Sequence, residues 1–376
     1  MTSARIPTVE IESLVDFDAR LPKTTTLRGW AVQSVDLRGR AAALESVDVR
    51  SALFLGCTMP AAMEDDLTNR GALVFPPLPD VPFNPYRAGL YTAAELYDGL
   101  GRGYAATTDG RVYAWYTAQA RGGRGNPPLP STLAMSLHDQ AIGDALYDLL
   151  SAADERRLVG VMGGHAATRG DDDYRLAARL GAELARLGFG VATGGGPGAM
   201  EACNLGARLA NADAADEAVG RLAAVPGFGP DVAAWARVAL EVAPDKPGGG
   251  LNIGIPTWFY GHEPPNAFAG HIAKFFSNAL REDVLLTRCQ GGVIVLPGAA
   301  GTVQEIFQCA TRSYYAAPSL VTPLVLVGRQ YWTQHLPAWP LLQALGDGRT
   351  MGHSLHMVDD VDEALEALAG SGLRPE

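Results

Sequence analysis

The chain has 376 residues, of which 47% are hydrophobic and 19% charged, and its formal net charge is −11. This length and composition allow one large core and a second smaller one, so the sequence predicts a globular protein with more than one domain. The acidic balance leaves no excess of Lys and Arg to neutralise a phosphate polymer, which argues against extended nucleic acid or an anionic membrane as a partner.

The cysteines and the N-terminal residues indicate the cellular compartment. The four cysteines, Cys57, Cys203, Cys289 and Cys309, have no C-x-x-C spacing, and acidic residues stand where a signal peptide would be apolar. No apolar run approaches the roughly 18 to 20 residues that span a bilayer. We therefore expect a cytoplasmic protein with no membrane segment. The spacing of His and Cys predicts no metal site.

The first 130 residues have a pattern of their own. Apolar residues recur five apart in two series, which are Leu27, Val32, Leu37 and Ala42, and then Leu44, Val49 and Phe54. The spacing weakly resembles a pentapeptide-repeat coil, and a short irregular β-domain explains it about as well. Residues 71–130 are dense in Pro, Gly and Tyr, which predicts an ordered but irregular cap or linker. We assign residues 1–130 to a smaller, mainly β accessory domain.

A second domain, residues 131–376, is predicted to begin with a helix over 131–153 that Ser131 or Thr132 caps. From about residue 156, short apolar runs end in glycine and alternate with stretches of helical spacing. The runs are RLVGVMGG, GFGVATGGG, LNIGIPTW, GGVIVLPG, PLVLVG and SLHMVDD. This alternation predicts an α/β fold with a doubly wound, Rossmann-like parallel sheet. Residues 211–250 lack a strand pattern and are expected to form an insertion or mobile helix.

Three glycine-rich turns follow predicted strands, where the ligand crevice of such a sheet lies. The first ends in His165, the second contains Gly194, Gly195 and Gly196, and the third runs from Pro297 to Gly301. One His at a strand end is more often structural than catalytic, and a tight turn without a ligand is the alternative for the second turn.

The third turn, VLPGAAGTVQE, carries the most chemistry. Gly298 and Gly301 let the backbone approach a ligand, and the helix that follows presents free N–H groups to a phosphate. Thr302 can add a hydroxyl donor, and Glu305 can reach a sugar. The same residues form a T-x-x-E capping box, so the motif alone leaves a functional and a structural interpretation open.

The segment HIAKFFSNALREDVLLTR predicts a helix around residues 268–290. One face carries Phe268, Ile272, Phe275, Phe276 and Ala279, and another carries Lys274, Asn278 and Arg281. Arg281 is therefore expected to meet an anion or a carboxylate, and a solvated face on which Arg281 contacts Glu282 or Asp283 is the alternative.

Standard nucleotide-binding and hydrolase signatures are missing from the sequence. It has no G-x-x-x-x-G-K-[ST] and no G-x-S-x-G, and the first strand-to-helix turn lacks G-x-G-x-x-G. These absences argue against a P-loop NTPase, a serine hydrolase and a standard NAD enzyme.

The glycine turns resemble those of a known family. PGAAGTVQE looks like the P-G-G-x-G-T-x-x-E signature of the LOG ("Lonely guy") phosphoribohydrolases, once misnamed lysine decarboxylases, and GGGPGAME resembles that family's second glycine turn. GGH, GGGPGAMEA, EPPN (residues 263–266) and Arg288 are closer still to the bacterial pyrimidine/purine nucleotide 5′-monophosphate nucleosidases of the same superfamily. The match covers roughly residues 155–330.

The resemblance implies an N-glycosidase that needs no cofactor and hydrolyses a nucleoside 5′-monophosphate to free base and ribose 5-phosphate. It implies that Glu305 and Arg281 are catalytic. It implies that the substrate is bound by Gly194, Gly195, Gly196, Met200, Pro297, Gly298, Ala300, Gly301, Thr302, His165 and Arg288. It also suggests a homodimer or higher homo-oligomer, with the helix around 268–290 at or near the interface.

The sequence departs from the family at two places. Ala299 replaces the second glycine after the proline, and Arg281 is followed by Glu282 where cytokinin-activating members have adjacent Arg and Lys, one residue out of register. Related members of the superfamily bind signalling nucleotides or molybdenum cofactor without hydrolysis. A non-catalytic nucleotide or cofactor sensor or carrier is therefore the alternative function.

Overall fold

The computed structural model describes residues 9–120, 127–153, 157–244, 248–260 and 263–370. The chain divides into two compact units. The first unit comprises Met1–Gly89 and Ala118–Ala145, and the second comprises Leu90–Thr117 and Leu146–Glu376.

The first unit is built on a parallel sheet of four short strands. The strands are β1 (Val9–Ile11), β2 (Trp30–Gln33), β3 (Leu53–Leu55) and β4 (Leu73–Phe75). The helices between them are α1 (Leu14–Arg20), α2 (Ala41–Leu44) and α3 (Ala61–Asn69). Each strand pairs with the next in sequence. Consecutive parallel pairing of this kind is found in solenoids, in which each coil packs on its neighbour.

The core of the first unit contains most of the residues that recur five apart in the sequence. Those that are buried are Leu27, Val32, Leu37, Leu44, Val49 and Phe54. Ala42 is exposed on α2. Helices α1, α2 and α3 are not part of the sequence prediction. Ser13 begins α1 by accepting a hydrogen bond from the backbone N–H of Asp16 at 3.1 Å, a local N-cap that satisfies one free donor.

The second unit contains a seven-stranded sheet. Its strands are β5 (Leu158–Met162), β6 (Gly190–Thr193), β7 (Asn252–Gly254), β8 (His271–Ile272), β9 (Val293–Val295), β10 (Leu324–Val327) and β11 (Leu355–Val358). The helices after β5 are α7 (Asp172–Arg186), α8 (Ala199–Leu209), α9 (Ala212–Leu222), α10 (Val232–Val242), α11 (Asn278–Arg288), α12 (Ala300–Tyr315), α13 (Trp339–Gly346) and α14 (Val361–Ala369). Three earlier helices are α4 (Ala93–Leu96), α5 (Thr108–Ala120) and α6 (Leu129–Ser151), and the unit boundaries fall within α5 and α6.

All seven strands are parallel, in the order β11-β10-β9-β5-β6-β7-β8. The apolar runs predicted as strands form β5, β6, β7, β9, β10 and β11. The first five are buried along most of their length, whereas β11, at the edge of the sheet, is buried only at Val358. The helices form two groups, because α7 contacts α8 and α14, whereas α12 contacts α11 and α13. The prediction of a doubly wound parallel α/β sheet is confirmed.

Several element boundaries differ from the prediction. The helix expected around 268–290 begins only at Asn278, because Ser277 caps it and residues 271–272 form edge strand β8 instead. Ala279, expected on the apolar face, is exposed. The helix predicted to begin near Ser131 starts at Leu129, so neither Ser131 nor Thr132 is its cap. Residues 211–250 contain two capped helices, α9 and α10, and the linker predicted over 71–130 contains α5.

Within the described ranges, no helix is both long enough and apolar enough to cross a membrane.

Candidate functional site

The candidate site lies where the order of the sheet reverses. From the central strand β5 the chain proceeds outward through β6, β7 and β8, and it then returns to the other side of β5 with β9. The loops that leave β5 and β9 therefore diverge at their carboxyl ends, where doubly wound sheets bind ligands. The two loops are joined by a hydrogen bond from the backbone N–H of Gly164 to the carbonyl of Pro297 at 3.0 Å.

A cavity of about 570 Å³ opens between these loops. From the β5 side it is lined by Gly163, Gly164, His165, Ala166, Ala167, Asp171, Asp173 and Leu176. From the β9 and β10 side it is lined by Leu296, Pro297, Gly298, Ala299, Gly301, Thr302, Glu305, Val327, Gly328 and Tyr331. The remaining lining residues are Ala199, Met200, Tyr260, Glu263, Arg281, Glu282 and Asp359. The volume is of the size that small-molecule sites have.

The turn after β9 is too tight for a side chain at Gly298. A Cβ atom built there would lie 2.8 Å from Cβ of Thr302 and 3.0 Å from the backbone nitrogen of Gly164. Tyr331 holds the same residue by donating its hydroxyl hydrogen to the carbonyl of Gly298 at 2.9 Å. The glycine therefore brings the turn, the start of α12 and the β5 loop into contact.

Helix α12 begins at Ala300, with Ala299 at the N-cap position. The first intrahelical bond is donated by the N–H of Val303 to the carbonyl of Ala299 at 3.0 Å, so the preceding N–H groups have no acceptor within the helix. Thr302 lies inside the first turn and is not the cap. The capping-box interpretation of T-x-x-E is therefore wrong, and both Thr302 and Glu305 line the cavity.

Glu305 is paired with Arg281 across the cavity floor. Nη1 of Arg281 lies 3.3 Å from Oε1 of Glu305, and both side chains are more than nine-tenths buried. Arg281 also donates from Nε to the carbonyl of Ile255 at 2.8 Å and from Nη2 to the carbonyl of Gly194 at 3.5 Å. The three contacts fix the guanidinium plane and thus the position of the carboxylate.

The second glycine turn packs against the guanidinium of Arg281 at Gly194. A Cβ atom at Gly194 would lie 2.5 Å from Nη2 of Arg281 and 2.6 Å from Sδ of Met200, so only glycine leaves room for both side chains. The turn is held by Asn266, which donates its backbone N–H to the carbonyl of Gly195 at 2.9 Å and its side-chain amide to the carbonyl of Gly196 at 3.3 Å.

Burial raises the pKa of Glu305 from its ordinary value of 4.5 to about 7, and the negative charge of Glu282 acts in the same direction, whereas Arg281 lowers it. Desolvation of the carboxylate is the largest of these effects. A carboxyl group that titrates near neutral pH beside a fixed cation in a cavity is typical of a functional site.

Glu282 forms a second buried carboxylate next to this pair. It accepts hydrogen bonds from the amide of Asn278 at 2.7 Å, from the hydroxyl of Tyr260 at 3.4 Å and from the amide of Gln304. Nη1 of Arg281 lies 3.8 Å away. Arg281 therefore lies between the carboxyl groups of Glu282 and Glu305.

The structure brings most of the predicted site residues together. Those that line the cavity are His165, Met200, Arg281, Pro297, Gly298, Gly301, Thr302 and Glu305. Gly194, Gly195 and Gly196 are buried behind the lining, and Ala300 lies in the first turn of α12 without facing the cavity. Arg288 lies outside the lining, at the end of α11, with its guanidinium 5.2 Å from the ring centroid of Tyr147. The assignment of these residues to catalysis and binding stays a prediction.

Among the lining residues outside the predicted site, four have polar side chains that contact other lining residues. Glu282 and Tyr260 form the hydrogen bonds described above. Tyr331 donates to the carbonyl of Gly298 in the turn after β9, and Glu263 lies beside His165. Glu263 opens the EPPN segment and could have been selected from it. Tyr331 follows β10 on a short π-helical segment, Tyr331–His335, and has no sequence signal of its own.

Models of two protein families match the second unit. The SLOG cluster4 family matches residues 156–215, and the family described as "possible lysine decarboxylase" matches residues 239–368. Both support assignment to the LOG superfamily. The closer resemblance to nucleotide monophosphate nucleosidases stays a prediction. No curated protein matches the chain.

Solved structures of low sequence identity match part of the chain. The molybdenum cofactor binding protein of the phototrophic bacterium Rippkaea orientalis is 17% identical, with 57% of this chain and 96% of that chain covered and a TM-score of 0.37. The molybdenum cofactor carrier protein of Chlamydomonas reinhardtii is 18% identical in two structures, with 57% of this chain and 98% of that chain covered and TM-scores of 0.34 and 0.35. Similarity at this level transfers neither a ligand nor an activity.

Proposed function

We propose that the second unit hydrolyses the N-glycosidic bond of a nucleoside 5′-monophosphate and releases the free base and ribose 5-phosphate. The observation that carries the proposal is the buried Glu305–Arg281 pair, one helical turn beyond a glycine turn and a free helix N-terminus in the same cavity. A phosphate site at the start of α12 and a carboxylate one helical turn later match the two ends of a ribose 5-phosphate, which are the phosphate and C1′.

The 5′-phosphate binds at the start of α12. The N–H groups of the first turn point out of the helix at its positive end, which is a favourable position for an anion. Thr302 adds a hydroxyl donor, and the lining residues Gly298, Ala299 and Gly301 bring backbone close to the ligand. Ala299 does not obstruct this arrangement, because its φ is −98° and its side chain is exposed.

Glu305 acts on the sugar. As the base departs, positive charge develops on the ribose, and an ionised carboxylate beside C1′ stabilises that charge and accepts a proton from the attacking water. The neutral carboxyl group does neither. Because the pKa of Glu305 is about 7, kcat/KM should rise as the pH rises through about 7.

Arg281 is assigned two roles. It holds Glu305 through the 3.3 Å contact and keeps the pKa of that carboxyl lower than burial alone would make it.

The phosphate binds at a distance from the glycosidic bond that breaks. Its binding energy positions the sugar against Glu305.

The direct test is incubation of the purified protein with AMP, GMP, CMP, UMP and a cytokinin ribotide. Released base is separated by liquid chromatography, and ribose 5-phosphate is measured as reducing sugar. We expect both products in equal amounts from at least one nucleotide, and loss of turnover by orders of magnitude in Glu305→Gln. A folded protein that releases base from none of them contradicts the proposal.

A binding measurement with the same nucleotides distinguishes a hydrolase from a non-catalytic carrier or sensor. Calorimetric titration of wild type and Glu305→Gln with the same nucleotides reports binding without chemistry. A non-catalytic carrier binds in both forms and releases no base. A hydrolase consumes the nucleotide in the wild type and retains it in the variant.

A further inference from the structure

A second pair of ionisable side chains, His165 and Glu263, lies on the cavity wall formed by the β5 loop. Nδ1 of His165 is 3.3 Å from Oε1 of Glu263, and both residues line the cavity that contains Glu305. The His165 side chain is 55% exposed and that of Glu263 is 28% exposed, so the imidazole is accessible to a ligand. The hydrolysis described above uses neither residue.

The backbone of His165 is held firmly although its side chain is accessible. A Cβ atom at Gly198 would lie 2.8 Å from Cα of His165, so the second glycine turn packs directly against the histidine backbone. The preceding residue, Gly164, donates to Pro297 at 3.0 Å and accepts from the N–H of Ala199 at 3.2 Å. The loop is therefore fixed relative to the turn that precedes α12.

Departure of a nucleobase requires a proton as well as a stabilised sugar cation. The base leaves with the electron pair of the glycosidic bond, and protonation of a ring nitrogen makes it a better leaving group. Neither member of the Glu305–Arg281 pair supplies that proton, since Glu305 works as a carboxylate and a guanidinium does not deprotonate in proteins.

Few of the described cavity-lining groups can donate a proton to the base. Tyr331 donates its hydroxyl hydrogen to the carbonyl of Gly298, and Tyr260 donates to Glu282. Burial raises the pKa of Tyr260, and the nearby charge of Glu282 adds to the effect. Imidazole, in contrast, ordinarily exchanges protons near neutral pH, and His165 presents the only imidazole among the described lining residues.

We propose that His165, oriented by Glu263, is the general acid that protonates the departing base. Glu263 contacts Nδ1, which leaves Nε2 to deliver the proton, as the partner carboxylate does in other acid–base pairs of this kind. This inference rests on the proposed hydrolase activity. It favours purine nucleotides, whose bases have a free imidazole nitrogen, N7, that can take the proton as the bond to N9 breaks.

The oxygen of water bonds to C1′ as the C1′–N bond breaks, Glu305 takes one proton from the water, and His165 gives one proton to the base nitrogen. Glu305 then loses its proton to solvent and His165 regains one from solvent. The net reaction consumes one water and needs no oxidant, reductant or metal.

The test compares two substrates that differ in their need for a proton. GMP requires protonation of guanine, whereas 7-methylguanosine 5′-monophosphate already carries the positive charge on its base and leaves without a proton. We expect His165→Asn to reduce kcat/KM for GMP by about 10² to 10⁴ and to reduce it for the methylated nucleotide by less than about tenfold. Equal reductions for both substrates would overturn the assignment, because a structural role affects both alike.

Two further variants sharpen the comparison. Glu263→Gln should show the same selective loss to a smaller extent, since it leaves the imidazole in place without its charged partner. Asp172→Asn, an exposed position of α7 outside the cavity lining, should leave both rates unchanged. Failure of the hydrolase proposal looks different, because the wild type then releases base from neither substrate.

Discussion

Replacement of Glu305 by Gln should stabilise the protein at alkaline pH while it removes activity. The pKa of this carboxyl is about 7 in the folded chain, against an ordinary value of 4.5. The native state therefore binds this proton more tightly than the unfolded chain does, so the stability contributed by the neutral group is complete below about pH 4.5. It is lost as the pH rises and is fully lost above about pH 7. Gln keeps the shape and never ionises.

The size of the effect follows from the difference between the two pKa values. At about 1.4 kcal/mol per pH unit, the charged form costs about 3 kcal/mol at pH 8 and about 1 kcal/mol at pH 5 relative to a group that cannot ionise. The free energy of unfolding of Glu305→Gln minus that of the wild type should thus increase by about 2 to 3 kcal/mol between pH 5 and pH 8. Taking the change between two pH values removes any constant effect of the substitution.

Urea unfolding of both proteins at pH 5, 6, 7 and 8, followed by tryptophan fluorescence, measures this quantity. The second unit contains the buried Trp235, Trp258 and Trp332, which report on its unfolding. Glu217→Gln, at an exposed position of α9, is the matched control and should show no pH-dependent difference. A difference for Glu305→Gln that is constant from pH 5 to pH 8 would refute the conclusion that burial raises the pKa of this carboxyl.

The site makes two further predictions. Glu282→Gln removes a negative charge beside the Glu305–Arg281 pair, so the pKa of Glu305 should fall and the rising limb of the expected pH–rate profile should move to lower pH. Gly298→Ala should abolish turnover and destabilise the fold by about 1 to 3 kcal/mol, because its Cβ atom would collide with Thr302. Gly301→Ala, which has no atom within 4 Å of the new Cβ, should fold as well as the wild type and weaken only phosphate affinity.

Each of these predictions has a clear contradictory result. Asp283→Asn, at an exposed position next to Glu282 on α11, should leave the pH–rate profile in place. Equal shifts for the two variants would show that overall charge, rather than the contact with the pair, sets the pKa of Glu305. If Gly298→Ala and Gly301→Ala have the same melting temperature, the tight packing of Gly298 against the start of α12 is not required for the fold.

Much of the second unit follows from local patterns. Strands β5, β6, β7, β9 and β10 are apolar runs that end in glycine, and their burial on both faces is what the runs predict. Strand β11 precedes two aspartates at the edge of the sheet and is buried only at Val358. Strand β8 has only two residues, which is too short for any periodicity to register. The glycine-rich turns could be placed at one edge because the carboxyl ends of parallel strands share it.

The errors arise where distant residues decide the local structure. Helical spacing predicts Lys274 on one face of a helix, but Lys274 precedes the helix, is fully buried and donates to Asp109 at 2.7 Å. Asp109 lies 165 positions earlier in the chain. Trp258 donates to the same carboxylate at 2.8 Å. These contacts explain why the aromatic residues of this segment are buried without forming a helix until Ser277.

In the site, too, contacts within one motif are predictable from the sequence, whereas contacts between loops are not. Glu305 and Thr302 are one motif, so their proximity was predictable from spacing alone. The contacts of Arg281 with Ile255 and Gly194, and that of Glu263 with His165, join residues from different loops. Only the order of strands in the sheet brings those loops together.

We propose that the turn from Pro297 to Thr302 binds the phosphate of a mononucleotide while Glu305 faces its sugar. A crystal structure of Glu305→Gln with bound GMP tests it most directly. We expect the phosphate on the first-turn N–H groups of α12 and C1′ within about 3.5 Å of the side chain at position 305. A nucleotide bound elsewhere, or bound here with its ribose turned away from that side chain, would contradict the account.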